Sequence, residues 1–375
     1  MAGIYIHIPF CKKACHYCNF HFSTSLKNRN DFVQALLKEI EWQKEYLQHE
    51  PVETIYFGGG TPSLLPDAEL REIMEKIYRT FDVNGNAEIT LEANPDDISR
   101  EKIKVWKKTG ISRLSLGIQS FFDKDLQWMN RAHNADQGIT SIHTILDEGM
   151  NNLSVDLIYG TPGLTDKNWE KNIERVIALN IPHLSCYALT VEPNTALNTM
   201  ILHKKTENIN PDDQARQFLL LMQWMGKSGY EHYEISNFAL PGKRSRHNSA
   251  YWQGKKYLGL GPSAHSYNGI SRQWNIANNA LYIQSLMNNN LLFEKEVLTN
   301  IQRLNEYIMT SLRTTEGIDL RYLSEKFDLA TRTAIETNAA HYIKDLKLLK
   351  EDLRLKLTNE GKLFADGIAA SLFFE

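Results

Sequence analysis

Short apolar runs separated by longer stretches of helical period organise the first half of this chain. Apolar and β-branched residues gather at 4–8, 54–57, 88–91, 113–118, 153–158 and 183–189, each of strand length and bounded by polar or turn residues. Between them, 31–48, 67–81, 99–109, 136–148 and 168–179 repeat their apolar positions at helical spacing. Ser99 ahead of Glu101-Lys102, and Pro66-Asp67 ahead of Glu69, supply the cap chemistry of helix starts. Strands alternating with helices predict a parallel sheet covered by helices. Six repeats are two short of a closed eight-stranded barrel. The chain therefore reads as α/β, an open partial (β/α)6 TIM-like barrel.

The rhythm breaks near Asn194. Residues 196–290 are rich in aromatics, Gly and Asn, and read as an extension closing one side of the barrel. Helical period returns at 300–314, 320–327 and 332–349, with a hairpin expected at 353–357 and a last helix after it. That pattern suggests a small C-terminal helical, winged-helix-like domain over 291–375, with the barrel core at 1–195.

Composition narrows the class. A chain of 375 residues, 42% apolar and 23% charged, has material for one large domain and a smaller one. A net charge of −3 without a polybasic tract argues against nucleic acid as a partner, so the C-terminal bundle reads as a cover. The opening MAGIYIHIPF has neither the basic region of a signal peptide nor a span-length apolar run. A cytoplasmic protein without stable membrane insertion is expected. Of four cysteines, Cys11, Cys15 and Cys18 crowd into CKKACHYC, and crowded thiols in a reducing compartment bind metal. Three thiolates are one short of tetrahedral zinc or a fully ligated iron-sulfur cluster. Either the fourth position is open, or His16 or His21 completes a structural Cys3His zinc site. Cys186, in an apolar run, is expected to be a buried strand cysteine.

In a parallel α/β barrel, reactive groups sit at the C-terminal strand ends. There the chain places the three cysteines, then Gly58-Gly59-Gly60-Thr61-Pro62, Glu92 with Asn94-Pro95, Gln119 with Arg131 beyond it, and Asp156. GGGTPS lacks both the G-K-[ST] of a phosphate loop and the G-x-G-x-x-G of a dinucleotide fold. Its glycines offer backbone to a small polar ligand such as an amino acid.

CKKACHYC, GGGTP, LEANP, LGIQS and VDLIYG, in that order, resemble the radical S-adenosylmethionine (SAM) superfamily. With HNSAYW at 247–252 and GLGPSAHS at 259–266, the resemblance narrows to the branch of oxygen-independent coproporphyrinogen III oxidases and HemW-type heme chaperones. It implies a [4Fe-4S] cluster on Cys11, Cys15 and Cys18, with SAM chelating the fourth iron. It also implies Tyr5 and Tyr17 beside the cofactor, Gly59, Gly60 and Thr61 at its methionine end, and Glu92, Gln119, Arg131 and Asp156 lining the cavity. An unidentified electron donor would reduce the cluster and cleave SAM to a 5′-deoxyadenosyl radical.

Two departures separate the branches. Phe20 stands where the oxidases carry a further cysteine, and their N-terminal extension has no counterpart before the first strand. Both favour a heme chaperone, which would bind heme or porphyrin and deliver heme to apo-hemoproteins. The resemblance to the coproporphyrinogen dehydrogenating enzymes keeps the oxidase as the alternative, and a scaffold with a degenerate cluster site is a third reading. For heme, His247 is the candidate ligand, with Tyr251 and Trp252 as aromatic surface and His265 as a second histidine. His247 and Asn248 could equally brace a loop against the barrel. His7, His16 and His21 flank the cysteines, where hydrogen bonds from them could tune a cluster.

Overall fold

A computed structural model describes residues 2–375. All six predicted strands form: β1 (Ala2–Ile8), β2 (Val52–Gly59), β3 (Val83–Ala93), β4 (Arg113–Gln119), β5 (Leu153–Tyr159) and β6 (His183–Ala188). They lie side by side in sequence order, every neighbouring pair parallel. Most of their positions are buried, as a helix-covered parallel sheet requires, although β3 opens exposed over Asn84–Asn86 and β6 ends exposed. The exceptions are informative. β1 is fully buried except at Tyr5, β4 except at Gln119 and β5 except at Asp156. These half-buried positions face the lumen.

Helices α1 (Arg29–Trp42), α2 (Asp67–Thr80), α3 (Arg100–Lys108), α4 (Asp123–Trp128), α5 (Ala135–Asp147) and α6 (Asp166–Ala178) cover the sheet. In α2, Leu70, Ile73, Met74 and Ile77 form the buried stripe, each contributing about 1.5–3 kcal/mol by the area it removes from water. Helix α1 ends earlier than its periodicity predicts, because the chain turns after Trp42 and Gln48 and His49 adopt positive φ.

The segment without clear repeats is richer than expected. It contains α7 (Ala196–Leu202), α8 (Pro211–Lys227), β7 (Glu231–Glu234), β8 (Asn237–Ala239), α9 (Arg246–Trp252), β9 (Lys256–Leu260), β10 (His265–Tyr267), β11 (Ser271–Asn275) and α10 (Asn279–Met287), with β12 (Phe293–Val297) following. These strands extend both edges of the sheet, where cover on one side was expected. β8 and β7 add to β6, and β9 pairs parallel with β1 before β10, β11 and β12 continue outward. Glu39 of α1, fully buried, ties this outer edge to the core. It accepts hydrogen bonds from Tyr282 Oη (2.5 Å), Asn275 Nδ2 (2.5 Å) and the Gly261 amide (2.7 Å). Gly261 needs its missing side chain, since φ is +97° and a Cβ would lie 2.5 Å from the His7 carbonyl oxygen.

The C-terminal part comprises α11 (Asn300–Leu312), β13 (Ile318–Asp319), α12 (Leu320–Lys326), α13 (Leu329–Lys344), β14 (Leu348–Glu351), β15 (Arg354–Leu357) and α14 (Ala365–Ser371). Its three short strands, ordered β13-β15-β14, and its helices enclose a separate core around Ile308, Leu323, Ile335 and Leu355. The helical pattern predicted over 332–349 stops at Lys344. Leu346 turns the chain with φ +56°, and Leu348 begins a strand. Among the described residues, no helix is long and apolar enough to cross a membrane.

Candidate functional site

Beyond β1 the chain leaves the sheet as a loop closed at its base. Ser23 donates its amide to the Pro9 carbonyl (2.8 Å), and the Cys11 amide donates to the Ser23 carbonyl (3.0 Å). The loop is pinned elsewhere by Asn130 Nδ2 to the Ala14 carbonyl (2.8 Å), by the Leu197 amide to the His16 carbonyl (2.7 Å), and by Lys12, whose Nζ bonds Asp96 (2.7 Å) and Asp97. Cys11, Cys15 and Cys18 are free thiols, each half-buried. Cys186 is buried in β6, as expected.

Groups from two strand ends, with Arg131 from the loop after α4, link two of the thiols. Thr61 Oγ1 donates to Cys11 Sγ (3.6 Å), Asn94 Nδ2 donates to Thr61 Oγ1 (3.1 Å), Arg131 Nη2 donates to Asn94 Oδ1 (2.6 Å), and Arg131 Nη1 donates to Cys15 Sγ (3.3 Å). Tyr17 packs into the same region, its hydroxyl pushed up by burial. Asn94 closes this chain of contacts, a role that its place after a strand does not reveal. Lys12 was likewise overlooked, and its only signal was its place next to Cys11.

Below lie the carboxylates. Tyr56 Oη donates to Glu92 Oε1 (2.7 Å), and burial, with Asp156 adding, raises the Glu92 carboxyl to about 7. Asp156, also raised by burial, accepts from Ser115 Oγ at 3.2 Å. Tyr5 stacks 6.1 Å from Tyr56, and its hydroxyl is 3.2 Å from His7 Nδ1. Gln119 ends β4 at φ +66°, a left-handed conformation unusual for a non-glycine residue. Gly59 and Gly60 turn out to be close-approach positions. A Cβ on Gly59 would meet the His7 ring at 2.6 Å, and one on Gly60 the Phe10 carbonyl oxygen at 2.6 Å. The Gly60 amide is taken by the Ile8 carbonyl (2.9 Å). At Gly60, then, the glycine run packs against β1's exit; it does not present a free amide.

The donor set suits a metal cluster. Burial, with Cys18 and Cys15 adding to it, pushes the Cys11 thiol up to about 11, so three thiolates held together need a compensating cation. Arg131 Nε and Asp96 Oδ1 are buried there without partners. Among the described residues, no three His, Cys, Asp or Glu side chains are already gathered in metal-holding geometry. His16 and His21 are otherwise engaged, His16 Nδ1 with the Trp128 carbonyl (2.7 Å) and His21 Nε2 with Asn279 Oδ1 (2.7 Å).

The HNSAYW motif lies at the opposite, N-terminal end of the strands. His247 is 2% exposed, with Nδ1 2.8 Å from Thr54 Oγ1 and Nε2 3.0 Å from Tyr251 Oη. Its ring stacks on Tyr56 at 5.0 Å, and burial lowers its pKa to about 3. Glu88 accepts the amides of Arg246 (2.9 Å) and His247 (3.2 Å) at the start of α9. With both ring nitrogens engaged by hydroxyls, His247 braces α9 in this structure, the alternative weighed beside its candidacy as a heme ligand. His265, the second histidine, stacks 6.0 Å from Trp274. Tyr251 and Trp252 instead line a cavity of about 1070 Å³ between the barrel's foot and the C-terminal helices. Tyr257, also on its wall, pairs with Gly3 at the start of β1. The cysteine loop begins beyond Ile8, roughly 17 Å along the strand at about 3.3 Å per residue.

Residues 5–176 match the Radical SAM superfamily, and residues 298–364 match the HemN C-terminal domain. The chain is 32% identical over 383 residues to the heme chaperone HemW of Bacillus subtilis (strain 168), covering 100% of both chains. It is also 32% identical over 362 residues to heme chaperone HemW of Lactococcus lactis subsp. lactis (strain IL1403), covering 95% of this chain and 93% of that one. Its backbone superposes on the radical SAM enzyme coproporphyrinogen III oxidase (HemN) of Escherichia coli with a TM-score of 0.86 at 22% identity, covering 99% of this chain and 90% of the other.

Proposed function

The chain belongs to the heme chaperone HemW family of the radical SAM superfamily, and on that premise we propose that it carries heme at the barrel's foot and a [4Fe-4S] cluster with SAM at its other end. Residues 1–195 form the barrel core for the cluster, 196–290 the extension bearing HNSAYW, and 291–375 the domain covering the cargo. Cys11, Cys15 and Cys18 would hold the cluster, and Tyr5, Tyr17, Gly59, Gly60, Thr61, Glu92, Gln119, Arg131 and Asp156 would line the site for SAM.

Arg131, fixed by Asn94 and the Gly117 carbonyl, points an N–H at Cys15 Sγ, and such a donor is placed to hydrogen-bond a metal-bound sulfur. Thr61 does the same more weakly for Cys11. Glu92, with its carboxyl near neutrality, can accept from an ammonium or hydroxyl of a ligand in the lumen. A bound cluster with SAM supplies one-electron chemistry. Tyr251 and Trp252 offer aromatic surface to heme. The cargo passes to apo-hemoproteins in the cytoplasm, and a separate donor supplies electrons.

The end-to-end match to heme chaperones is the observation that carries this reading. Separation of the foot cavity from the thiols supports carriage over porphyrinogen oxidation, since a tetrapyrrole held at the foot is out of reach of the cysteine loop. One anaerobically reconstituted sample tests both. Hemin titration should show saturable binding, and incubation with reductant, SAM and coproporphyrinogen III should leave that substrate unchanged. Formation of protoporphyrinogen, or no hemin binding, overturns the proposal.

A further inference from the structure

The foot cavity contains more than aromatic surface. Tyr251, Tyr257 and Tyr267 line it from the barrel side, and Tyr307, Tyr322 and Phe327 from the C-terminal domain. Within the latter group, the Tyr307 and Tyr322 rings lie 4.6 Å apart. Two facing sets of rings suit a flat, conjugated ligand.

The cavity's charges are unevenly satisfied. Arg244 is answered by Glu231 and Glu316, Arg354 by Asp319, and Arg272 Nη2 by Glu306 at 2.9 Å across the two walls. Asp328 is occupied in capping α13 through the Thr331 amide (2.6 Å). Arg303 has only the Asn300 side chain, and its Nε is buried without a partner. Arg272 Nε is buried and unpartnered too. Lys326, one turn beyond Tyr322 in α12, has no partner among the described residues. Arg303, half-buried, and Lys326, on the exposed rim, are therefore the lining cations without a carboxylate partner, and Glu375 adds negative charge at the cavity's edge.

Resting on the heme reading above, we infer that Arg303 and Lys326 recognise the two carboxylates of a planar tetrapyrrole in this cavity, with Arg272, held by Glu306, framing the same end. A guanidinium matches a carboxylate in two-point geometry, and an ammonium serves as a mobile second charge. Recognition by carboxylates has a distinctive consequence. The metal is not needed for it, so a metal-free porphyrin diacid should bind as its iron complex does.

Hemin, metal-free mesoporphyrin and hemin dimethyl ester are titrated against the full-length protein, Arg303→Lys, and Arg303→Ala/Lys326→Ala, following the Soret band and tryptophan quenching. The two diacids should bind the wild type comparably, and the double variant should bind both more weakly by about tenfold or more. Arg303→Lys should recover part of that loss. The diester should bind wild type and double variant alike. A melting temperature and near-UV spectrum matching the wild type establish that the double variant is folded; the Arg303→Lys comparison stands independently if it is not. Equal diacid affinity in wild type and double variant, or in wild type for diacid and diester, overturns the carboxylate assignment while leaving heme carriage intact. Absence of hemin binding to wild type removes both.

Discussion

Arg131 Nη1 stands 3.3 Å from Cys15 Sγ, while Nη2 of the same guanidinium is held by Asn94 and by the Gly117 carbonyl at 2.8 Å. A side chain anchored at one end and directed at a thiol by the other should matter to metal loading. Arg131→Leu leaves Asn94 Oδ1 and the Gly117 carbonyl without this donor and Cys15 without its cationic neighbour. Iron and sulfide content after anaerobic reconstitution should fall in Arg131→Leu and fall less in Arg131→Lys. Full loading in Arg131→Leu would show that the contact plays no part in assembly.

Replacing Cys11, Cys15 or Cys18 by Ala should abolish iron incorporation. Cys186→Ala should leave it unchanged and cost about 1 kcal/mol of stability from the lost packing. Stoichiometric zinc with no iron in the reconstituted wild type would contradict the cluster.

Close approach of the glycine loop to β1 sets up a paired test. A Cβ on Gly60 would sit 2.6 Å from one backbone carbonyl oxygen and 2.8 Å from another, whereas one on Gly85 meets nothing within 4 Å. Gly60→Ala should destabilise by about 1–3 kcal/mol, the usual cost of overpacking, and Gly85→Ala should be near neutral. Urea midpoints measure both, and equal midpoints would count against the tight fit.

Glu39 makes an opposing contribution to pH stability. Burial raises its folded pKa from 4.5 to about 7, so between these values the unfolded chain gives up a proton that the folded one keeps. Its contribution is present below pH 4.5 and is lost by on the order of 3 kcal/mol as pH rises through 7. His7 and His133, lowered by burial to about 4, act the other way, losing stability as pH falls below 6.5. Glu39→Gln isolates the carboxylate. The melting temperature of wild type minus that of the variant should decrease from pH 5 to 7.5, and an increase would contradict the sign.

His247 reads as a brace, so His247→Ala should lower stability by about 2–4 kcal/mol through the unpaired Thr54 and Tyr251 hydroxyls and the lost ring packing. Chemical denaturation measures it. An unchanged midpoint with heme binding lost would restore the residue as a ligand.

The six barrel strands were legible because most of their positions are buried, so apolar and β-branched residues dominate each run. The half-buried exceptions, Tyr5, Gln119 and Asp156, were also the positions the strand-end rule and the family motifs singled out. The extension was opaque for the converse reason. β7, β8 and β10 are three or four residues long, too short to show a period, and pairing with β6 or with other added strands makes them strands. At His247 the sequence leaves two roles open, because histidine beside aromatics suits a heme pocket and a structural brace alike. Only the partners of its two nitrogens, Thr54 and Tyr251, distinguish a brace from a ligand. Asn94 and Lys12 act through neighbours distant in the chain, which no local pattern reveals.

Pairing of β9 with β1 places Ala2 against Lys256 and Ile6 against Leu260. On a ribosome, β1 must wait for roughly 250 further residues before its second neighbour exists, a long-range closure of the kind that slows folding. Gly261, whose backbone meets His7 just before the cysteine loop, arrives at the same late moment. A polypeptide truncated before β9 would therefore present the thiols of that loop on an unfinished edge.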